Sequence, residues 1–306
     1  MKTFVVDEKG SGDFRTVQEA VDAAPDYSEE RTVIYIKKGE YREKIIVPPS
    51  KTNLSFIGDH RDYVALIFGD YSNKRDAEGN KLGIEGCPST YVKADGFHAE
   101  NLTFYNEAGL YWGQAVALAI TGDRAVIRNC NIRGHQDTLY ASGTGRQYYE
   151  NCYIEGTVDF IFGSATAVFQ DCQLHSIRRR SGFVAAPSTT EEQPYGYVFI
   201  NCKLTTTAPE ATVKLGRPWR PYGKAYFLNC WMDQHIHPEG FDNWRDPERE
   251  KTSTFGEFNS SGPGANPAGR VPWSRQLTAE EAAKLTIEEI LGGTDGWDPR
   301  TVRIPE

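Results

Sequence analysis

No stretch of this sequence approaches the ~20 consecutive apolar residues that a membrane-spanning helix needs; the best run, Ala115 to Ile120, is far too short. The opening MKTFVVDEKG lacks the apolar core of a signal peptide, so either the protein stays inside the cell or a leader has been removed and replaced by Met1. An excess of basic residues is missing too. Lys and Arg number 34 against 42 Asp and Glu, a net charge of −8, which excludes a partner held by its phosphate backbone, such as nucleic acid. Also absent are Gly-x-Ser-x-Gly, His-Glu-x-x-His and a P-loop. GSGDFR, from Gly10, lacks the third glycine of a dinucleotide loop, and His235-x-His237 lacks the company of further metal ligands. What is present, 39% hydrophobic, 12% aromatic and 25% charged residues, is the composition of a soluble globular protein rather than a collagen-like or disordered one.

The chain of 306 residues is dominated by a repeat. FHAENLTFYN from Phe97, AVIRNCNIRG from Ala125, QYYENCYIEG from Gln147, AVFQDCQLHS from Ala167, YVFINCKLTT from Tyr197 and AYFLNCWMDQ from Ala225 share one template. Degenerate copies begin at Thr32 and Asn53. Successive template cysteines lie 22, 20, 30 and 28 residues apart. Short units of this period, rich in Val, Ile, Phe and Tyr and punctuated by Gly, Asn and Asp, stack into a solenoid. The leucine ladder of a leucine-rich repeat is missing. The pattern therefore predicts an all-β protein, a right-handed parallel β-helix, with the extra residues of the later coils forming loops on one face.

The ends of a solenoid need cover. Thr16-x-x-Glu19 is a capping box, followed by Val17, Ala20, Val21 and Ala24 at helical spacing, which predicts a cap helix over about 16–24. Thr278-x-x-Glu281 and Thr286-x-x-Glu289 open two short helices within a C-terminal tail of about 255–306. Between them and the last clear coil, SSGPGANPAGRVPW is expected to lie ordered along the solenoid. No linker divides the chain, so 1–306 is expected to form a single domain. Cys130, Cys152, Cys172, Cys202 and Cys230 hold equivalent template positions, which predicts a buried, unbridged column rather than a disulfide framework; Cys87 stands apart in a loop. The neighbouring Asn129, Asn151, Asn201 and Asn229, with Asp171, are expected to satisfy backbone groups of the turns.

The same arithmetic brings chemistry together. Gln114 and Gln136 are 22 residues apart, and so are Asp137 and Asp159. One coil apart, each pair should become neighbours. Two carboxylates so placed resist ionising together unless a cation helps. Gln136 and Asp137 are consecutive, however, and on a regular strand would face opposite ways. Both reach one patch if GHQDT lies at a turn, for which Gly134 is the obvious pivot. Two amide donors beside two carboxylates fit acyl transfer without serine: one Asp attacks, the amides hold the oxyanion, the other Asp moves the proton. A solvated polar patch is the plain alternative, and the matching glutamine pair argues against it.

GHQDTLY (Gly134 to Tyr140), VDFIFG (Val158 to Gly163), LGRPW (Leu215 to Trp219) and GQAVAL (Gly113 to Leu118) closely resemble the signature segments of pectin methylesterases, and GSGDFRTVQEAVDAAP resembles that family's opening. The resemblance covers nearly the whole chain. It implies hydrolysis of the methyl esters of polygalacturonate, with methylesterified homogalacturonan as partner and no cofactor or metal. Asp159 matches the nucleophile, Asp137 the general acid/base, Gln136 and Gln114 the oxyanion donors, and Arg217 the arginine that orients the nucleophile. Trp219, Phe162, Phe160, Val158 and Tyr140 are the residues expected to line the sugar groove, and Trp112 and Trp244 could add flat surfaces. Trp112-Gly113 stands where many relatives have a His directly before the Gln. A guanidinium fork also suits Arg217 to a carboxylate on physical grounds alone.

Rival readings are another pectin-active β-helix enzyme, or an inactive pectin-binding relative. The Asn-Thr-Asp and Gly-His-Gly segments of polygalacturonases and the calcium-binding acids of pectate lyases do not appear, while Asp137, Asp159 and Arg217 are all present. A monomer with no membrane or nucleic-acid partner is expected. Its substrate, an extracellular plant polymer, implies a secreted or periplasmic home.

Overall fold

A computed structural model of the chain describes residues 1–304. Its strands fall into three all-parallel sheets of eleven, eight and seven strands, visited in turn by each coil. The coil around Cys130 is typical: Ala125–Arg128 lies in the first sheet, Asn131–Arg133 in the second and Leu139–Ala141 in the third. The chain is a parallel β-helix. Its register follows the repeat residue by residue, since Ala125, Gln147, Ala167, Tyr197, Ala225 and Phe255 align across the first sheet. The copies at Thr32 and Asn53 supply the strands Thr32–Ile36 and Leu54–Gly58 of that sheet.

Inward positions of equal rank stack into columns. Tyr149, Phe169, Phe199 and Phe227 form a nearly parallel pile with centroids 4.6, 4.7 and 4.5 Å apart, the spacing of strands in a sheet. The five template cysteines form a second column, buried and unbridged, and Cys87 is a buried free thiol at the end of the short helix Gly83–Gly86. Burial pushes the thiols of Cys130, Cys152, Cys172 and Cys202 well above their ordinary value, so they behave as small apolar residues.

The asparagines beside them do something other than expected. Asn129, Asn151, Asp171, Asn201 and Asn229 all have left-handed backbone, with φ between 47° and 54°, a region that Asn and Asp enter more readily than other residues with side chains. Three of them bond side chain to side chain from coil to coil rather than to turn backbone: Asn151 Nδ2 donates to Asn129 Oδ1 (3.1 Å), Asn129 Nδ2 to Asn101 Oδ1, and Asn259 Nδ2 to Asn229 Oδ1 (2.9 Å).

The cap helix spans Val17–Ala23, with Thr16 and Glu19 closing the capping box and Val17, Ala20 and Val21 buried over the first coil. Ala24, preceding Pro25, is extended and ends it. At the far end the buried pair Arg270–Glu257 (2.6 Å) pins the Gly/Pro-rich segment, and Trp273 packs edge-on against Phe255. The helices Ala279–Ala283 and Ile287–Leu291 follow, and Ile290 and Leu291 cover Val126, Tyr148 and Val168 on the outside of the first sheet.

Two of the later insertions, residues 188–196 and 217–223, leave at one corner, between the third and first sheets. The long connections 69–89 and 107–117 leave at the opposite edge of the third sheet. Together they wall the outer face of that sheet.

Candidate active site

Asp137 stands two residues before the third-sheet strand Leu139–Ala141, and Asp159 two residues before Ile161–Gly163. Leu139 pairs with Ile161, so the two aspartates hold equivalent positions on successive coils. Both have left-handed backbone, φ 63° and 50°. This settles the geometry of consecutive Gln136 and Asp137, because a left-handed residue breaks strand alternation. The aspartate itself makes the turn. Gly134 does not; it makes room for Thr138, whose Oγ1 would lie 2.9 Å from a Cβ there. Left-handed non-glycine residues are costly and cluster where function demands them.

The glutamines meet in a parallel bridge, Gln114 with Gln136. Gln114 Nε2 donates to Asp137 Oδ2 (3.1 Å), while its Oε1 accepts from Ser72 Oγ (3.1 Å). The Ser72 N–H also donates to the Gln114 carbonyl (2.9 Å). A serine from the long connection 69–89 thus fixes the orientation of the amide.

Arg217 follows the third-sheet strand Val213–Gly216 and grips Asp159 with two parallel bonds, Nε to Oδ1 (2.9 Å) and Nη2 to Oδ2 (2.7 Å). Its guanidinium lies between two aromatic faces, 3.8 Å from the Phe183 centroid and 3.9 Å from that of Trp244. Trp244 is held in turn through its backbone N–H, which donates to Asp242 Oδ1 (2.8 Å). Trp244 is therefore a wall of the arginine slot rather than a free sugar platform.

The aspartates are 4% and 7% exposed, which makes charge expensive for both. Burial, and next the neighbouring Asp159 charge, hold the Asp137 carboxyl well above the usual range, with the Gln114 bond opposing. Asp137 Oδ1 is buried without any hydrogen-bond partner, a poor place for a bare negative oxygen. At Asp159 burial also raises the pKa, but Arg217 pulls it back through hydrogen bonds and charge. The pair is thus arranged to carry one proton, with Asp137 its holder.

Around the pair, Tyr140 stacks on Phe162 (4.7 Å) and Phe162 meets Trp219 edge-on (5.7 Å), forming an apolar strip on the outer face of the third sheet. Val158 is half-buried, and its carbonyl accepts from the Asp137 N–H (3.0 Å). Phe160 departs from expectation. It is fully buried in the interior core beside Ile161, so it supports the strand from beneath and has no surface to offer a sugar. Two consecutive side chains turn inward here because Asp159 resets the alternation. Trp112 is exposed and packs at a tilt against Tyr71 (4.7 Å between ring centroids). A separate polar groove of about 640 Å³, lined among others by Arg61, Arg133 and Lys203, lies along the second sheet and contains neither aspartate.

Ser72 and Phe183 could not be found by counting coils, since 69–89 is an irregular connection and the coil holding Phe183 has lost the 22-residue spacing. Among the described residues no cluster of three or more His, Cys, Asp or Glu could hold a metal ion.

The family model described as Pectinesterase matches residues 3–294. Pectinesterase QRT1 of Arabidopsis thaliana is 40% identical over 303 residues, covering 97% of this chain and 78% of that protein. The solved pectin methylesterase from carrot superposes with a TM-score of 0.89 at 34% identity, covering 100% of this chain and 98% of the other. A pectin methylesterase solved in complex with hexasaccharide VII gives 0.86 at 31% identity, covering 100% and 99%.

Proposed function

The chain belongs to the pectinesterase family and is a carboxylic ester hydrolase that demethylesterifies pectin, and we propose that Asp159 and Asp137 carry its chemistry. The Asp159 carboxylate, freed for attack by the fixed fork of Arg217, adds to the carbonyl carbon of a galacturonate methyl ester. The carbonyl oxygen becomes an oxyanion and takes hydrogen bonds from the side-chain amides of Gln114 and Gln136. When the C–O bond to methoxide breaks, Asp137 gives the leaving oxygen its proton, and methanol departs. An anhydride between Asp159 and the sugar remains. Asp137, now a carboxylate, takes a proton from water as that water attacks the acyl carbon. The products are a free galacturonate and the two aspartates in their starting states.

The observation that carries this reading is the inequality of the two carboxyls. One has both oxygens held by Arg217; the other has an unpartnered buried oxygen and an adjacent negative charge. Identical side chains are thereby set for opposite tasks. Trp219, Phe162 and Tyr140 provide the flat apolar strip on which sugar rings would rest, with Val158 at its edge.

Residues 1–306 are read as one domain, active as a monomer, needing no metal or cofactor and engaging neither nucleic acid nor membrane. No helix among the described residues is long and apolar enough to cross a membrane. Because its polymer substrate lies outside cells, we place the protein in a secreted or periplasmic setting. The test is methanol release from methylated pectin, with Asp159→Ala as control. Methanol from the parent protein and none from the variant is the expected result; equal release from both refutes the assignment.

A further inference from the structure

One charged group on the outer face of the third sheet is not used by this chemistry. Outward positions of that sheet form a row across the coils, in the order Tyr91, Ala119, Tyr140, Phe162 and Ala186. Arg217 follows immediately, one residue beyond Gly216, which pairs with Ala185. Phe162 and Tyr140 lie beside the aspartates, so the row runs from the site toward the N-terminal coils. Between the two tyrosines stands Ala119, too small to fill the space. Glu85, on the helix Gly83–Gly86, spans both: Oε1 accepts from the Tyr140 hydroxyl (3.3 Å), and Oε2 accepts from the Tyr91 hydroxyl. Its neighbours Leu82 and Ile84 pack on the same apolar strip, and Cys87 is buried in it, which anchors the carboxylate over the floor.

Glu85 itself is exposed, and it makes no salt bridge among the described residues. Lys44 and Lys74 are both engaged on Asp70 (2.7 and 2.6 Å), and Lys93, whose Nζ lies over the Tyr91 ring (4.4 Å to the centroid), forms no ion pair with Glu85. A carboxylate held in place without a direct ion-pair partner thus stands on the face where the polymer would lie, one side of the reacting pair. The substrate gives such a charge a meaning. Each sugar of the polymer presents either a neutral methyl ester or an anionic carboxylate, and the two differ little in shape but by a full charge. We propose that Glu85 is a specificity-determining residue: it disfavours a free galacturonate, and so selects a methyl-esterified one, at the subsite over Tyr91 and Tyr140. This rests on the esterase reading above.

The hydroxyls of Tyr91 and Tyr140 do the positioning. Two donors on one carboxylate hold it down on the strip instead of letting it swing into water. A like-charge encounter at a few ångströms in a wet cleft corresponds to about five- to tenfold in relative binding, and salt should weaken it. Discrimination by repulsion needs no new attractive contact to the preferred ligand.

The test compares kcat/KM, as methanol release per ester, on highly methylated pectin and on the same pectin partly saponified with alkali. Glu85→Gln retains the shape and should raise the ratio of partly saponified to highly methylated activity about five- to tenfold at low salt. Glu85→Lys should raise it further. In the parent protein the ratio should climb as salt is added, and in Glu85→Gln this climb should flatten. If both variants leave the ratio and its salt dependence where they were, Glu85 is structural and the proposal is wrong, whatever happens to overall rate or thermal stability. Should the parent release methanol from neither pectin, the esterase reading itself has failed and the proposal falls with it.

Discussion

Replacing Arg217 by Met removes the charge and both bonds to Asp159 while keeping a long side chain between Phe183 and Trp244. The structure sets the size of the effect. Asp159 is only 7% exposed, and among the described residues the Arg217 fork is its one cationic partner at hydrogen-bond distance. Stranding one member of a buried ion pair costs roughly 3–5 kcal/mol. At about 1.4 kcal/mol per factor of ten, this amounts to a loss of kcat/KM of about a hundredfold to a few thousandfold near neutral pH. The loss has a pH signature. Burial raises the Asp159 pKa and Arg217 opposes that rise; without the arginine, burial acts alone and the carboxyl holds its proton to higher pH. Attack needs the ionised form, so the acid limb of the kcat/KM profile should move to higher pH, and part of the activity should return on raising the pH until Asp137 loses its own proton. Arg217→Lys keeps a charge but offers no planar fork to the carboxylate or to the flanking rings, and should fall between the two. Initial rates of methanol release across pH measure all of this. An acid limb that stays in place in Arg217→Met, with a loss below about tenfold, would refute the role given to the arginine.

Three further outcomes follow from the geometry. Phe160→Ala should destabilise the fold by about 3–5 kcal/mol in urea unfolding, as a large core truncation does, whereas a solvent-facing groove residue would lose far less. Trp219→Ala should lower kcat/KM on polymer with little change in Tm; a large fall in Tm with unaltered activity of the folded protein would mark it as core. Asp137→Asn should raise Tm at neutral pH. The sign follows from the raised pKa in the folded state: the unfolded chain releases this proton first, so its contribution to stability is complete below the unfolded pKa and is lost as pH rises through the folded one. A neutral amide removes that pH-dependent penalty, and a lowered Tm would contradict the account of Asp137.

Much of this fold is legible in the sequence because a solenoid turns sequence spacing into spatial distance. The cysteine spacings delimit coils, and equal 22-residue steps place Gln114 on Gln136 and Asp137 on Asp159 without any long-range information. What was not legible lies where that conversion fails. Ser72 and Glu85 sit in an irregular connection whose path no period describes, and Phe183 follows a break in the spacing. Phe160 turns into the core against the expectation from its segment, because the left-handed backbone of Asp159 is a three-dimensional fact; nothing in VDFIFG marks where alternation restarts. The asparagine column shows the same limit: the template fixed its position, but its bonding from coil to coil depends on side-chain directions that only left-handed φ values provide.

The division of labour between the two aspartates is tested most directly by the first turnover of an activated aryl ester of galacturonate, followed by rapid-quench detection of the released phenol. Such a leaving group needs no proton, so acylation should bypass Asp137 while still requiring Asp159. Asp137→Asn should therefore release about one equivalent of phenol in a burst and then turn over slowly, since the water that must clear the acyl-enzyme has lost its base. Asp159→Asn should show no burst. A burst from Asp159→Asn together with none from Asp137→Asn would contradict the assignment and exchange the two roles.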